Sequence, residues 1–377
     1  MNYQQHLGGL TARTFLREHW QTTPLLIHSA INTRDWSLTL NDLIELSQDK
    51  RCSARVVIRD GAQYHVSYGP ITRRALTKLP KKNWTLLVQG VNYAHDGVAK
   101  LLGLFSFIPF ARLDDVMVSY ASPGGTVGPH YDSYDVFLLQ GAGVRQWQVG
   151  RPRSLDLMPN QEIRILKSFV PDGTCQVRTG DMLYIPPKFS HHGVAIEPCL
   201  TYSIGFHSPS YDHIKSEFLH YLDQEIELPG LFTDPKRRET TTPGLIPSDL
   251  LQSIEQKISK ISWSPMDILK FTGEFLTQVN NNNLVNVKKM ESKTRFLSQL
   301  KNRSYQINAN IKFLYREGLG FIAGEAFPIP RSEQAMFKSF ANLREIEGKN
   351  IKSTSFFAQT LFKWEVLGYV KKITKRN

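Results

Sequence analysis

Through about residue 210, apolar positions gather in short β-prone runs that glycine and proline keep interrupting. The clearest are Ala54-Arg55-Val56-Val57-Ile58, Trp84-Thr85-Leu86-Leu87-Val88, Val116-Met117-Val118-Ser119-Tyr120 and Val136-Phe137-Leu138-Leu139. Such runs between turn residues predict the strands of a sandwich or barrel. Helices are expected beside them, one over 12–19 capped by Thr11 and one over 40–48 capped by Asn41. The period changes after residue 210. Ile214, Phe218, Tyr221 and Ile226 recur at helical spacing, as do Leu251, Ile254 and Ile258 and then the apolar positions of 266–279. A polar stretch over 234–243, with Lys236-Arg237-Arg238, reads as a loop. These helices have no strands of their own to cover, so they pack either on the first region or on a second copy of the chain, which would make a homodimer. Asn280-Asn281-Asn282-Asn283 ends the segment.

The last part mixes types. Apolar runs at 311–315 and 320–323 flank Glu317-Gly318, which predicts a hairpin. Ser332 is placed to cap a helix running to about 345. A second helix follows Ser353, with Phe357, Leu361 and Trp364 on one face and Gly368 at its stop. A final strand is expected over 369–373. This mixture suggests a winged-helix-like module. The pattern thus divides the chain into a β region (1–210), a helical region (211–283) and a mixed module (284–377).

Charge sharpens that division. The net charge is +12, yet residues 288–377 alone carry 18 Lys/Arg against 7 Asp/Glu. The basic end is expected to meet an acidic partner, RNA or the ribosome. No apolar run is long enough for a bilayer, so no membrane partner is expected. The first residues show no secretory signal. Three scattered cysteines, none in a CxxC pair, argue against disulfides and zinc-thiolate sites and for the cytoplasm.

Candidate chemistry lies in 122–132, where Gly- and Pro-rich sequence gives way to His130-Tyr131-Asp132 at the mouth of a strand. Residues two apart on a strand face the same side, so His130 and Asp132 can converge on one ion. A second stretch, 180–193, reads as a turn, a short buried strand, a Pro186-Pro187 break and then His191-His192. In a double-stranded β-helix this returns a histidine to the barrel mouth. Two histidines and a carboxylate form the facial triad of non-haem Fe(II) oxygenases. Either His191 or His192 can be the third ligand; His207 and His213 lie past the following strand. Asp181 reads as a turn former.

Downstream, Gln140-Gly141-Ala142-Gly143 can reverse the chain. If Leu139 pairs with Val144, Leu138 pairs with Arg145, and parity puts Arg145 on the side of His130 and Asp132, deeper in the barrel. A permanently charged, bidentate cation there suits the far carboxylate of 2-oxoglutarate. Thr201 and Ser203 share parity on the strand after His191 and can add hydrogen bonds to that cosubstrate.

These residues resemble the JmjC-type ribosomal oxygenases. The matching features are Asp114-Asp115-Val116-Met117, Pro123-Gly124-Gly125 through His130-Tyr131-Asp132, Tyr134-Asp135-Val136-Phe137, Gly141-Ala142-Gly143, Tyr184-Ile185-Pro186-Pro187 and Tyr202-Ser203-Ile204-Gly205-Phe206. The resemblance implies a mainly β fold with added α: a double-stranded β-helix (cupin/JmjC barrel), a helical dimerisation region and a winged-helix-like C-terminal domain. It implies Fe(II), with 2-oxoglutarate and O2 as cosubstrates, and by position makes His130, Asp132 and His191 the iron ligands and Arg145 the cosubstrate anchor. The bacterial branch, which is most similar, hydroxylates an arginine of protein sixteen of the large ribosomal subunit. A cationic substrate head needs an acidic or aromatic lining, for which Asp135, Tyr131 and Asp114 are nearby candidates. The competing readings are a histidyl hydroxylase or demethylase of another basic protein, and a non-catalytic ribosome- or RNA-binding protein with a vestigial barrel.

Overall fold

The computed structural model describes residues 5–235, 237–279 and 291–373. Lys236, the asparagine run at 280–283 and the boundary drawn at 283 lie outside the described residues. The first region contains strands β1 (Leu25–Ile27), β2 (Ser53–Asp60), β3 (Gln63–Tyr68), β4 (Trp84–Gln89), β5 (Leu113–Ala121), β6 (His130–Tyr131), β7 (Val136–Ala142), β8 (Val144–Gly150), β9 (Gly173–Arg178), β10 (Met182–Ile185), β11 (Ser190–Ala195) and β12 (Cys199–Phe206). They form a large sheet, β1-β10-β7-β12-β5-β4-β2-β3, and a small one, β6-β11-β8-β9, with antiparallel pairing throughout.

Burial explains why β7 reads as an unbroken apolar run. Val136 and Leu138 join Trp147, Val177 and Phe189 in one cluster. Phe137 and Leu139 join another with Phe15, Leu101 and Phe105. Those three come from the helix Ala12–Glu18 and from Asp96–Gly103 and the residues just after it. A strand covered on both faces has no polar side to alternate with.

The expected reversal after Leu139 does not occur. Strand β7 continues to Ala142 and pairs with β10 and β12, whereas β8 pairs with β11 and β9. Gly143, at φ +68°, marks the corner where the chain crosses from one sheet to the other. A Cβ there would lie 2.3 Å from the Pro198 carbonyl oxygen, so the corner requires glycine.

Two helix caps also differ from expectation. Asn41 sits inside its helix, Leu40–Leu46, and Thr39 is the cap. The Thr39 hydroxyl accepts from the Asp42 N–H, and the Asp42 carboxylate accepts from the Thr39 N–H at 2.7 Å, a reciprocal pair. Ser332 lies in a 3₁₀ turn, and the helix Gln334–Leu343 begins without a side-chain cap. Thr11 does cap its helix, accepting from the Thr14 N–H at 3.0 Å.

The helical region consists of Tyr211–Glu225, Ser248–Ile258 and Pro265–Thr277. The last carries Phe271 and Phe275, both buried, whose rings meet Phe218, Tyr221 and His213 of the first helix, and it also packs against the region that follows. Its Gly273 lies so close to Phe321 that a Cβ would meet the ring at 2.2 Å. Ser248–Ile258 buries none of its residues.

The C-terminal region has two three-stranded sheets. One is β17 (Glu345–Glu347), β13 (Ser304–Ile307) and β18 (Val370–Ile373); the other is β14 (Phe313–Arg316), β15 (Leu319–Ile322) and β16 (Glu325–Pro328). The hairpin at Glu317-Gly318 is present, with φ of 49° and 80°, the pair of left-handed residues that a two-residue turn needs. Phe357, Leu361 and Trp364 face one core with Phe313, Phe337 and Phe340. Each such side chain contributes about 1.5–3 kcal/mol on burial. The barrel is tied to this region by Lys371 on Asp96 at 2.6 Å and by the Arg344 guanidinium over the Phe110 ring.

Glu291 accepts from Arg303 and Lys372, and these partners hold its carboxyl down at about 2, against 4.5 for a free glutamate. A lowered carboxylate contributes stability that is fully present above pH 4.5 and is lost as pH falls through 2. The C-terminal region of the wild type should therefore lose stability between those values. Denaturant unfolding at pH 6 and pH 3 should show a smaller difference in Glu291→Gln.

Candidate active site

The register of β6 against β11 builds the site. His130 pairs directly with His191, so both imidazoles leave the ladder on one face, with ring centroids 4.3 Å apart. Asp132 follows two residues later, and its Oδ2 lies 3.7 Å from His191 Nε2. One ligand atom from each of the three falls within 4.8 Å of the others, and among the described residues this is the group that gathers so. The far ring nitrogens are already used. His130 Nδ1 bonds the Gly128 carbonyl at 3.0 Å and His191 Nδ1 the Phe189 carbonyl at 3.3 Å. A carbonyl only accepts, so both Nδ1 atoms carry hydrogen, and both Nε2 lone pairs are left for an ion.

Burial, with His130 adding to it, pushes His191 well below the ordinary histidine value, which keeps it neutral and ready to ligate. Burial raises the Asp132 carboxyl, while the nearby His130 and a hydrogen bond from Tyr134 act the other way. A pocket that pairs a neutral buried imidazole at His191 with a carboxylate whose charge burial disfavours gains from a divalent cation.

A cavity of about 470 Å³ opens from these residues. At its inner end is Arg145, 5% exposed, on the same cavity wall as Thr201, Ser203, Leu138 and Trp147. Arg145 Nε and Nη2 are buried without a hydrogen-bond partner. A buried guanidinium with open donors is costly unless an anion completes it. Arg145 thus lines the same cavity as His130 and Asp132, where it arrives by pairing with Ala195 and Val177 and not with β7. The Thr201 hydroxyl donates to Gln140 Oε1 at 3.0 Å.

The substrate candidates separate. Asp114 lines the cavity. Tyr131 lines a neighbouring outer cavity instead, with Arg164 over its ring. Asp135 lines neither cavity. It is 0% exposed and accepts from Tyr184 Oη at 2.6 Å, Gln21 Nε2 at 2.9 Å and Arg112 Nη2 at 3.4 Å. His192 stays out of the ligand group, with its ring at Phe169. His207 and His213 meet Phe275. Asp181 is a turn former, accepting from the Ser29 and Arg178 N–H groups.

The sequence reading missed Asp115, Tyr134 and Trp147. Asp115, Met117 and Ser119 alternate along β5 and line the cavity, a period-two signal that was available. Burial and the neighbouring Asp114 push the Asp115 carboxyl up to about 6, while Gly90 N–H at 2.9 Å and the Gln89 side chain hold it in place.

Residues 100–214 match the family model of the JmjC domain. The chain is 33% identical to the ribosomal protein uL16 3-hydroxylase of Escherichia coli over 266 residues, 70% of each protein. The chain belongs to the JmjC-type ribosomal oxygenases. It is 40% identical to a probable ribosomal oxygenase of Haemophilus influenzae over 221 residues, covering 56% of this chain and 54% of that one. The E. coli ribosomal oxygenase YcfD, solved with cobalt and 2-oxoglutarate, superposes with a TM-score of 0.79 at 26% identity, over 97% of this chain and 99% of that one. This ribosomal oxygenase is therefore a 2-oxoglutarate-dependent non-haem iron enzyme of the bacterial branch, built on a cupin/JmjC barrel.

Proposed function

We propose that this oxygenase hydroxylates an arginine side chain of ribosomal protein uL16, with iron on His130, Asp132 and His191 and 2-oxoglutarate on Arg145. One observation carries the reading. One cavity is lined by the unpaired Arg145, by the three ligands and by the carboxylates of Asp114 and Asp115. Its buried arginine suits a dicarboxylate and its acid pair a guanidinium.

The donor set fits ferrous iron: two imidazoles and one carboxylate, with room left for small ligands. Bound there with 2-oxoglutarate and O2, the ion supplies the oxidation that puts one oxygen atom on a C–H bond as the cosubstrate leaves as succinate and CO2. The chain's own side chains position and shield. Arg145 takes the far carboxylate of the cosubstrate, with the Thr201 and Ser203 hydroxyls on the same wall. Trp147 and Leu138 keep water from that end. Tyr134 steadies Asp132 by its hydrogen bond. Asp115, fixed by Gly90 and Gln89, receives the substrate's cation.

Incubating the protein with Fe(II), 2-oxoglutarate and recombinant uL16 should add one oxygen atom to an arginine, read by mass spectrometry of proteolytic fragments. Addition at a histidine, or demethylation, would replace the arginine reading. No succinate with any ribosomal extract would favour a non-catalytic binder. Because Asp115 must be ionised to attract the guanidinium, KM for uL16 should fall as pH rises through about 6. That dependence should flatten in Asp115→Asn.

We further propose that the helices of 211–283 form a homodimer, with a catalytic barrel over 1–210 and a basic winged-helix-like domain over 284–377. Leu219, Leu231, Ile246, Leu251 and Ile254 are exposed there, more apolar surface than a monomer usually leaves to water. Sedimentation at micromolar concentration tests it, and a single species of 43.1 kDa would refute it. The basic surplus of 288–377 supports contact with RNA on the ribosome, checked by salt-dependent binding to ribosomal RNA. No helix of the described residues is long and apolar enough to cross a membrane. We place the reaction in the cytoplasm, where nascent uL16 is available, and cell fractionation tests this.

A further inference from the structure

The excursion between β8 and β9, residues 151–172, carries a cation that the reaction described above does not use. The segment is fastened on both sides. Leu166 N–H donates to the Pro129 carbonyl at 2.8 Å, next to His130. Gln161 and Glu162 accept from the Tyr64 and Val66 N–H groups of β3 at 3.1 and 2.8 Å. Ile165 is buried, and Leu157 bridges to Leu166. Between these fastenings Arg164 stands exposed, its guanidinium 6.0 Å from the centroid of the Tyr131 ring. Among the described residues no carboxylate pairs with it. A loop held this firmly fixes an arginine in place without giving it an ion-pair partner.

Arg164 lines two cavities. One is the cavity of the metal ligands; the other is an outer groove of about 390 Å³. Both are also bounded by His130, Asp132 and Tyr134, and the outer groove adds Tyr131, Ser133 and Leu157. Asp114 and Asp115 line only the inner cavity. The other arginines of the inner cavity, Arg145 and Arg55, have no part in the groove.

We infer that this groove holds the polypeptide chain of the substrate beside the target residue, with Arg164 donating to its main-chain carbonyl oxygens. The inference rests on the reading of the site as a protein hydroxylase. The groove shares its wall with the metal ligands, so whatever occupies it is continuous with a side chain in the inner cavity. Apart from the metal ligands His130 and Asp132, its lining is two tyrosines, a serine, a leucine and one cation, which suits an extended peptide. A surface that tracks phosphates uses several cations along a stripe. The guanidinium offers several donors in a fixed plane, which match carbonyl oxygens.

The test compares wild type and Arg164→Ala on full-length recombinant uL16 and on a peptide cut back to the target arginine and its immediate neighbours. On full-length uL16 the variant should raise KM about tenfold, the loss of one charge-assisted hydrogen bond. Its kcat at saturation should change less than about twofold, since the lost contact forms equally in ground and transition states. On the cut-back peptide the two enzymes should share one KM, and Arg164→Lys should recover part of the loss on the full-length protein. Equal KM values on full-length uL16 would overturn the inference. So would an effect that emerges only when ribosomal RNA is added, which would assign Arg164 to a phosphate. Cobalt(II)- and 2-oxoglutarate-induced thermal shifts, equal in both proteins, confirm that the variant is folded. If wild type leaves uL16 unmodified, the functional reading fails first and the groove loses its occupant with it.

Discussion

Asp132→Ala is expected to abolish 2-oxoglutarate turnover, a loss well beyond the roughly 10- to 100-fold that follows when only a residue orienting a metal ligand is removed. The reason is charge as well as geometry. Asp132 is the one anion of the ligand set, 3.7 Å from His191 Nε2, and without it the ion is held by two neutral imidazoles. Binding gives a readout independent of turnover. At a hundredfold excess of cobalt(II) over Kd, wild type should be stabilised by about 2.7 kcal/mol. The variant should show no such shift in Tm. Removing the anion also relieves a carboxyl whose ionised form burial disfavours, so the metal-free variant should be at least as stable as metal-free wild type. A variant that still shifts with cobalt(II) would remove Asp132 from the ligand set.

The second large effect concerns Arg145. Truncating one partner of a buried, hydrogen-bonded charge pair costs about 2–5 kcal/mol. Arg145→Met should therefore raise KM for 2-oxoglutarate by roughly 30-fold or more. Without cosubstrate the sign reverses. The wild-type guanidinium is buried with Nε and Nη2 unpaired, and replacing it by an apolar side chain of similar length should stabilise the apo protein by about 1–4 kcal/mol. Thermal unfolding with and without 2-oxoglutarate shows both halves at once: a higher Tm alone and a smaller rise with cosubstrate. The cobalt(II) shift should persist, which separates loss of the anchor from loss of the ion. An unchanged KM would mean that another group holds the cosubstrate.

The metal set was legible because it is local. His130 and Asp132 are two residues apart, and His191 follows a Pro-Pro break that marks the end of a strand. Arg145 reaches the cavity of His130 and Asp132 by a different pairing from the one expected. Parity along a strand survives a wrong choice of partner, but the choice of sheet does not, and nothing in Gln140-Gly141-Ala142-Gly143 distinguishes a hairpin from a corner. The burial of Asp135 away from the cavity was hidden for a different reason. Its partners Gln21, Arg112 and Tyr184 are remote in sequence, so the motif around it gave no sign that the carboxylate turns inward. Asp115 could have been found from the alternation of β5. Arg164 could not, because the excursion that carries it has no periodicity and is positioned by its own Gln161 and Glu162 side chains on main-chain N–H groups of β3. The caps show the same limit at short range: Thr39 and Asn41 both suit an N-cap, and the reciprocal bond with Asp42 decides between them.

The Asp135 carboxylate has one more implication, for anyone who trims the chain. Gln21 reaches it from ahead of the first strand, Tyr184 from β10 and Arg112 from the entrance of β5, while Arg112 also grips Ser208 beyond β12. Four distant stretches are thus bolted to one hub, three positions along from Asp132. A minimal catalytic fragment cannot begin at β1 and end at β12. It must keep Gln21 and the exit past Ser208, or the ferrous centre would be left standing on a loosened footing.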